Sequence, residues 1–180
     1  MSVVRRFMHR AFTLAALSGV VATVAMLTGP ANPAAADSTG PAYATVRIGG
    51  RFDLVDDDWD YDPTAYEYFS KTYKIAKGSR ETVIIKSRVC AGGEVRGELR
   101  LDLTYFSNGH LSLDGYATGD GILLYEGTSC STTDLDGEFS IYGPGVMAPG
   151  ASVHEYASVG NVDEGGDDRA TVDFTATRVA

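Results

Sequence analysis

Between Leu99 and Phe106 large apolar side chains fall on every second residue: Leu99, Leu101, Leu103 and Tyr105, with Arg100, Asp102, Thr104 and Phe106 between them. Successive side chains of an extended backbone point to opposite faces, so this pattern predicts a strand with one buried face. Ser107-Asn108-Gly109 follows, and Leu111, Leu113 and Ala117 then share a face of the next segment. Two turn lengths can join these segments. A two-residue Asn108-Gly109 turn sets Leu103 opposite Asp114 and mixes the faces. A three-residue loop with Gly109 in the left-handed conformation pairs Tyr105 with Leu111 and Leu103 with Leu113, so both apolar faces coincide. The second is the expected register. It places Asp102 opposite Asp114 on the outer face, with Arg100 nearby and across from Tyr116.

The rest of the chain repeats short apolar segments separated by turn residues. Strands are expected at Tyr43–Val55, Tyr68–Ile75, Thr82–Cys90, Ile122–Tyr125, around Phe139 and Ile141, at Val153–Val159 and at Ala170–Val179. Gly49-Gly50 inside the first marks a bulge, bend or close backbone contact. Residues 65–76 are ambiguous, because Tyr66, Phe69 and Tyr73 have helix-like spacing while their aromatic character suits a strand. Eight or nine strands without a long helical segment predict an all-β fold, an antiparallel β-sandwich ahead of a small β-barrel.

The first 36 residues are set apart. Arg5, Arg6 and Arg10 precede an apolar run from Ala11 to Leu27, and Ala34-Ala35-Ala36 stands before Asp37. This is the layout of a cleaved secretory signal peptide, for which the alternative is an N-terminal membrane anchor. The general export route is expected ahead of the twin-arginine route. Residues 37–42 read as a flexible lead-in, and 43–180 as a single domain with no transmembrane segment in the mature chain. Export makes a disulfide between Cys90 and Cys130 the expected state of the only two cysteines.

All 24 acidic residues lie beyond residue 36, against 12 of the 15 Lys and Arg, for a mature net charge near −12. Such a charge argues against nucleic acid or an anionic membrane as simple electrostatic partners. It suits cations, a basic protein face, or plain solubility.

The sharpest local motif is Asp56-Asp57-Asp58-Trp59-Asp60-Tyr61-Asp62-Pro63-Thr64-Ala65-Tyr66-Glu67. Counted from Asp56, acidic residues occupy positions 1, 3, 5 and 7, Thr64 is at 9 and Glu67 at 12, a spacing that resembles the calcium loop of the EF-hand family. The resemblance implies calcium held by Asp56, Asp58, Asp60, Asp62 and Glu67. The loop departs from the pattern at the sixth position, Tyr61 instead of glycine, and carries Pro63 at the eighth. Its alternative is a solvated acidic turn. If the first and last strands are neighbours, Asp163, Asp167 and Asp168 come close to this loop and add ligands.

Trp59, Tyr61, Tyr66 and Tyr68 gather beside the same loop. They read either as a hydrophobic plug at the end of the sandwich or as binding aromatics for a protein or glycan. No nucleophile, base and orienting group can be assembled around His110 or His154, and the Asp102–Asp114 pair is expected on a solvated sheet face. The expected function is a secreted, extracellular binding or structural accessory protein, possible calcium stabilisation included. The alternatives are a protease inhibitor presenting Gly143–Gly150 as a loop, and a hydrolase using carboxylates.

Overall fold

The computed structural model describes residues 40–57, 61–115, 117, 119–161 and 168–180. The proposed leader and Trp59, Asp58, Asp60, Asp163 and Asp167 lie outside the described residues. Ten strands run in order: β1 (Tyr43–Val55), β2 (Thr64–Ala76), β3 (Ser79–Lys86), β4 (Arg96–Tyr105), β5 (Leu111–Gly115), β6 (Gly121–Tyr125), β7 (Leu135–Phe139), β8 (Ile141–Met147), β9 (Ser152–Gly160) and β10 (Arg169–Arg178). One sheet has the order β2-β1-β10-β9. The other has β7-β6-β4-β5-β8, with β3 also on β4. All pairings are antiparallel.

β4 is the spine of the larger sheet. Asp102 pairs with both Thr82 and Asp114, and Glu98 with both Lys86 and Leu123. β3 therefore takes one edge of β4, while β5 and β6 follow each other along the opposite edge. The inner faces of both sheets meet in one core, where Val46, Ile48, Phe52 and Leu54 pack with Leu99, Leu101, Leu103, Tyr105, Leu111, Leu113, Val172 and Phe174. The expected hairpin forms: Leu103 faces Leu113 and Tyr105 faces Leu111. Gly109 has φ of 84°, and the Phe106 N–H donates to the His110 carbonyl at 2.8 Å. The disulfide joins Cys90 to Cys130.

The strand expected at Tyr68–Ile75 forms and is longer, and two other local expectations need correction. Residues 64–76 are strand throughout, paired with β1 from Thr64–Val55 to Ala76–Tyr43. The helix-like spacing of Tyr66, Phe69 and Tyr73 crosses faces, since Tyr66 points outward while Phe69 and Tyr73 pack against the core. Gly143-Pro144-Gly145 lies within β8 and not in a loop. A register shift between Leu113 and Gly115 accommodates the strand, and a Cβ at Gly143 would meet the Leu113 carbonyl oxygen at 1.6 Å. β5 ends at Gly115, so Arg100 stands opposite Gly121 of β6, and its Nε donates to Glu98.

Gly49 and Gly50 interrupt neither ladder of β1. At Gly50 the reason for glycine is close contact. A Cβ there would lie 2.2 Å from the Asp173 carbonyl oxygen and 2.7 Å from Phe174.

Candidate functional site

Because β1 pairs with β2 on one side and β10 on the other, and β10 with β9, outward side chains form rows across the four-stranded sheet. One row runs Tyr68, Arg51, Asp173, Tyr156. The next toward the β1–β2 turn runs Tyr66, Asp53, Thr171, Ser158, and that on the other side runs Ser70, Gly49, Thr175, His154. Tyr66, Tyr68 and Tyr156 are each about two-thirds exposed. Tyr66 and Tyr68 meet edge to face with centroids 6.1 Å apart, and the Arg51 guanidinium lies 5.8 Å from the Tyr68 ring centroid.

Gly49 contributes no side chain to the middle of this face, which leaves an open depression of about 470 Å³. Arg47, Arg51, Tyr68, Ser70, His154 and Asp173 are among the residues that line it. Its polar groups hold one another in place. Arg51 donates to Asp53 at 2.9 Å, Arg47 Nε donates to Ser70 Oγ at 3.3 Å, and His154 Nε2 lies 2.6 Å from Asp173 Oδ1. Rings flanked by positioned donors and acceptors are what a polar ligand with apolar faces requires.

The end of the sandwich carries the acidic loops. The neighbouring β1 and β10 bring Asp57 and Asp168 together, and the Asp57 N–H donates to Asp168 Oδ1 at 2.7 Å. Asp56 is buried against Gly92, while Asp62 is exposed. Glu126, which the sequence reading did not single out, sits in the same region. Its carboxylate accepts from Asn161 Nδ2 at 2.7 Å, and its N–H donates to Asp136 at 2.9 Å. Burial, and next the adjacent Asp168, push the Glu126 carboxyl up to about 7.

Glu67 is engaged elsewhere. Its carboxylate accepts from both the N–H and the Nε of Arg88. Burial pushes this carboxyl up, but the Arg88 backbone and guanidinium donors outweigh burial and hold it below the usual range. Among the described residues, no group of three or more His, Cys, Asp or Glu is placed to hold a metal ion.

The outer face of the six-stranded sheet buries its central carboxylates, while Ile84 and Val146, in register with Arg100 and Ser112, stay exposed on it. Glu98 is fully buried, with Lys86 Nζ at 3.0 Å, Arg96 at 3.4 Å and Arg100 Nε also on its carboxylate. Arg96 lies 4.0 Å from the Tyr125 ring centroid and donates to the Thr132 carbonyl at 2.8 Å. That carbonyl belongs to the loop fastened by Cys130. Asp102, expected in solvent, is 1 % exposed. It accepts from Arg80 and, at 2.6 Å, from Thr82 Oγ1. Burial raises the Asp102 carboxyl, yet the Arg80 and Thr82 bonds outweigh burial and leave it lowered. Asp120 is pushed up by burial and then by Asp102. Glu98 and Asp102 are engaged by Lys86 and arginines, of which Arg80 is more than half exposed.

Of the aromatics singled out from sequence, Tyr61, Tyr66 and Tyr68 are exposed, which overturns the plug reading for these three. Tyr156 joins Tyr66 and Tyr68 on the sheet, while Tyr61 precedes it on the β1–β2 connection. Tyr156, Arg47, Arg51 and Asp173, which share this face, are not singled out by the sequence. The signal available was the outward set of each alternating strand; the strand order needed to line those sets up spans the whole domain. No protein-family model and no curated protein matches the chain.

Proposed function

We propose that this chain is an exported, acidic β-sandwich acting as an extracellular binding domain, with the outer face of the four-stranded sheet as its ligand surface. The observation that carries this reading is the exposure of Tyr66, Tyr68 and Tyr156 on one face, around a depression lined by ion-paired side chains. Large rings left in water lose the stabilisation that burial provides, and a concentration of them with fixed polar neighbours marks a surface that becomes covered on binding. The leader-like N-terminus and the Cys90–Cys130 disulfide support the extracellular setting.

The test is retention of ligands, protein or glycan, from the medium of the producing cells on the immobilised mature domain. The reading expects species held by the wild type and lost with Tyr66→Ala and Tyr68→Ala combined, both variants being folded by circular dichroism. Identical retention by wild type and variant would place the ligand surface elsewhere.

A second reading concerns calcium. The meeting of the two acidic loops through Asp57 and Asp168, with Glu126 beside them, favours a cation at that end. In this reading Asp56, Asp58, Asp60 and Asp62 supply the first ligands, with Asp163, Asp167 and Asp168 from the facing loop. Glu67 would have to leave Arg88 to join them. Calorimetric titration of the EDTA-treated domain should give saturable heat and a calcium-dependent rise in melting temperature, both reduced by Asp58→Ala. Absence of both in the wild type would remove calcium from the account.

A further inference from the structure

We infer that the ligand of the tyrosine-bearing face is a linear polysaccharide carrying carboxylates; this rests on the reading of that face as the binding surface. Charge points to such a ligand. The chain holds 24 acidic residues against 15 Lys and Arg, so an average patch of it is negative. The outer face of the four-stranded sheet reverses this. Among the described residues, its outward positions carry Arg47, Arg51, Lys74 and Arg169 against only Asp53 and Asp173. Asp53 is paired with Arg51 and Asp173 lies against His154, so four cations against two carboxylates leave this face an excess of two positive charges. A positive surface on a negative protein is the complement of an anionic ligand.

The arrangement of those charges points to a polymer. They do not converge as a site for one small anion would require. In register, Lys74 lies beside Thr45 and Arg169 beside Val55, with Arg47 and Arg51 on β1 between them. Ten residues of strand at ~3.3 Å each make this a line of about 33 Å along the sheet. It crosses from β2 over β1 to β10, with Tyr66 and Tyr68 on one flank and Tyr156 on the other. A spread line of cations fits a polymer whose acidic groups recur along its length. Exposed tyrosines offer flat surfaces to the apolar faces of sugar rings, and the arginine fork matches a carboxylate.

Magnitude separates this polymer from nucleic acid. A duplex carries one charge per ~1.7 Å, and its affinity comes from many cations neutralising phosphates at once. Four cations on an acidic protein cannot supply that. Repulsion from carboxylates farther off than a Debye length, about 8 Å at physiological salt, is screened, which leaves contacts at Arg47, Arg51 and Lys74 effective; Arg169 adjoins Asp168 at the acidic end of the sheet.

The test is affinity electrophoresis and biolayer interferometry of the mature domain in EDTA, against sodium alginate, polygalacturonate, neutral dextran, neutral glucomannan and duplex DNA. The expected result is binding to at least one of the two uronate polymers that weakens as NaCl rises from about 50 to 300 mM, with no comparable binding to the neutral polymers or DNA. Arg47→Glu should weaken it at least tenfold and Tyr68→Ala several-fold, with melting temperatures unchanged. Salt-insensitive binding to a neutral polymer, lost in Tyr68→Ala but kept in Arg47→Glu, would overturn the acidic class and leave the face standing. Uronate binding unaffected by either substitution would overturn both. Absence of binding to every glycan would overturn the polysaccharide, and retention of a medium component that depends on Tyr66 and Tyr68 would then preserve the face for a protein ligand.

Discussion

Two glutamates show how one side-chain type takes opposite roles according to its neighbours. Glu98 is completely buried, and burial alone would hold its carboxyl up; bonds from Arg100 and Lys86 outweigh that and keep it low and ionised. Removing such a centre strands its partners, Arg96 above all, which is itself buried. Glu98→Ala should therefore destabilise the domain by about 3 kcal/mol in urea unfolding, whereas an exposed ion pair contributes well under that. Glu126 is the reverse case. Its folded pKa, about 7, stands above the ordinary 4.5, so the folded state keeps a proton that the unfolded chain has released. The stability this provides is complete below about pH 4.5 and is lost as pH rises through 7. The melting temperature should fall across that window, and Glu126→Gln should flatten the fall; an unchanged slope in the variant would show that the proton is held elsewhere. Glu67 and Glu98, both lowered, act on the acid side, where protonation below their ordinary range removes their contribution. The sequence displayed these carboxylates but not their surroundings, which depend on partners brought from other segments: Lys86 at Glu98, Asn161 at Glu126 and Arg88 at Glu67.

At the scale of elements, what was legible depended on how far apart the partners lie. The β4–β5 hairpin could be read to the residue, since two strands joined by a short loop must align their apolar faces. The pairing of β1 with β10 joins opposite ends of the domain, and no local pattern specifies it. Its signature was Gly50, readable only as one of several possible irregularities. The structure gives this glycine a specific consequence. Gly50→Ala drives a methyl into the Asp173 carbonyl and Phe174 and should destabilise the domain by about 2 kcal/mol or more. Gly49→Ala, whose Cβ would meet the Phe69 carbonyl at 3.5 Å, should stay within about 0.5 kcal/mol of wild type in the same measurement. Equal effects at the two positions would contradict the close approach of β1 and β10. The β8 segment failed in the other direction: glycine and proline in 143–145 read as a loop, yet a bulge against β5 absorbs them.

Across the whole molecule, the two sheets turn different outer faces to their surroundings. One holds a buried ion network at its centre with Ile84 and Val146 exposed beside it, and the other is open, aromatic and locally cationic. Composition alone pointed to an acidic protein with cationic partners. The unequal distribution of charge between faces could not be seen before the strands were ordered. The central claim is that the open face is where the ligand lies. Amide and side-chain chemical-shift mapping of the labelled mature domain, titrated with a short uronate oligosaccharide in EDTA, tests it most directly. The account predicts perturbations concentrated at Arg47, Gly49, Arg51, Tyr66, Tyr68, His154 and Tyr156, with Leu99–Tyr105 and the loop around Cys130 unmoved. Perturbations centred on the six-stranded sheet or on the acidic loops, with the tyrosine face silent, would contradict it.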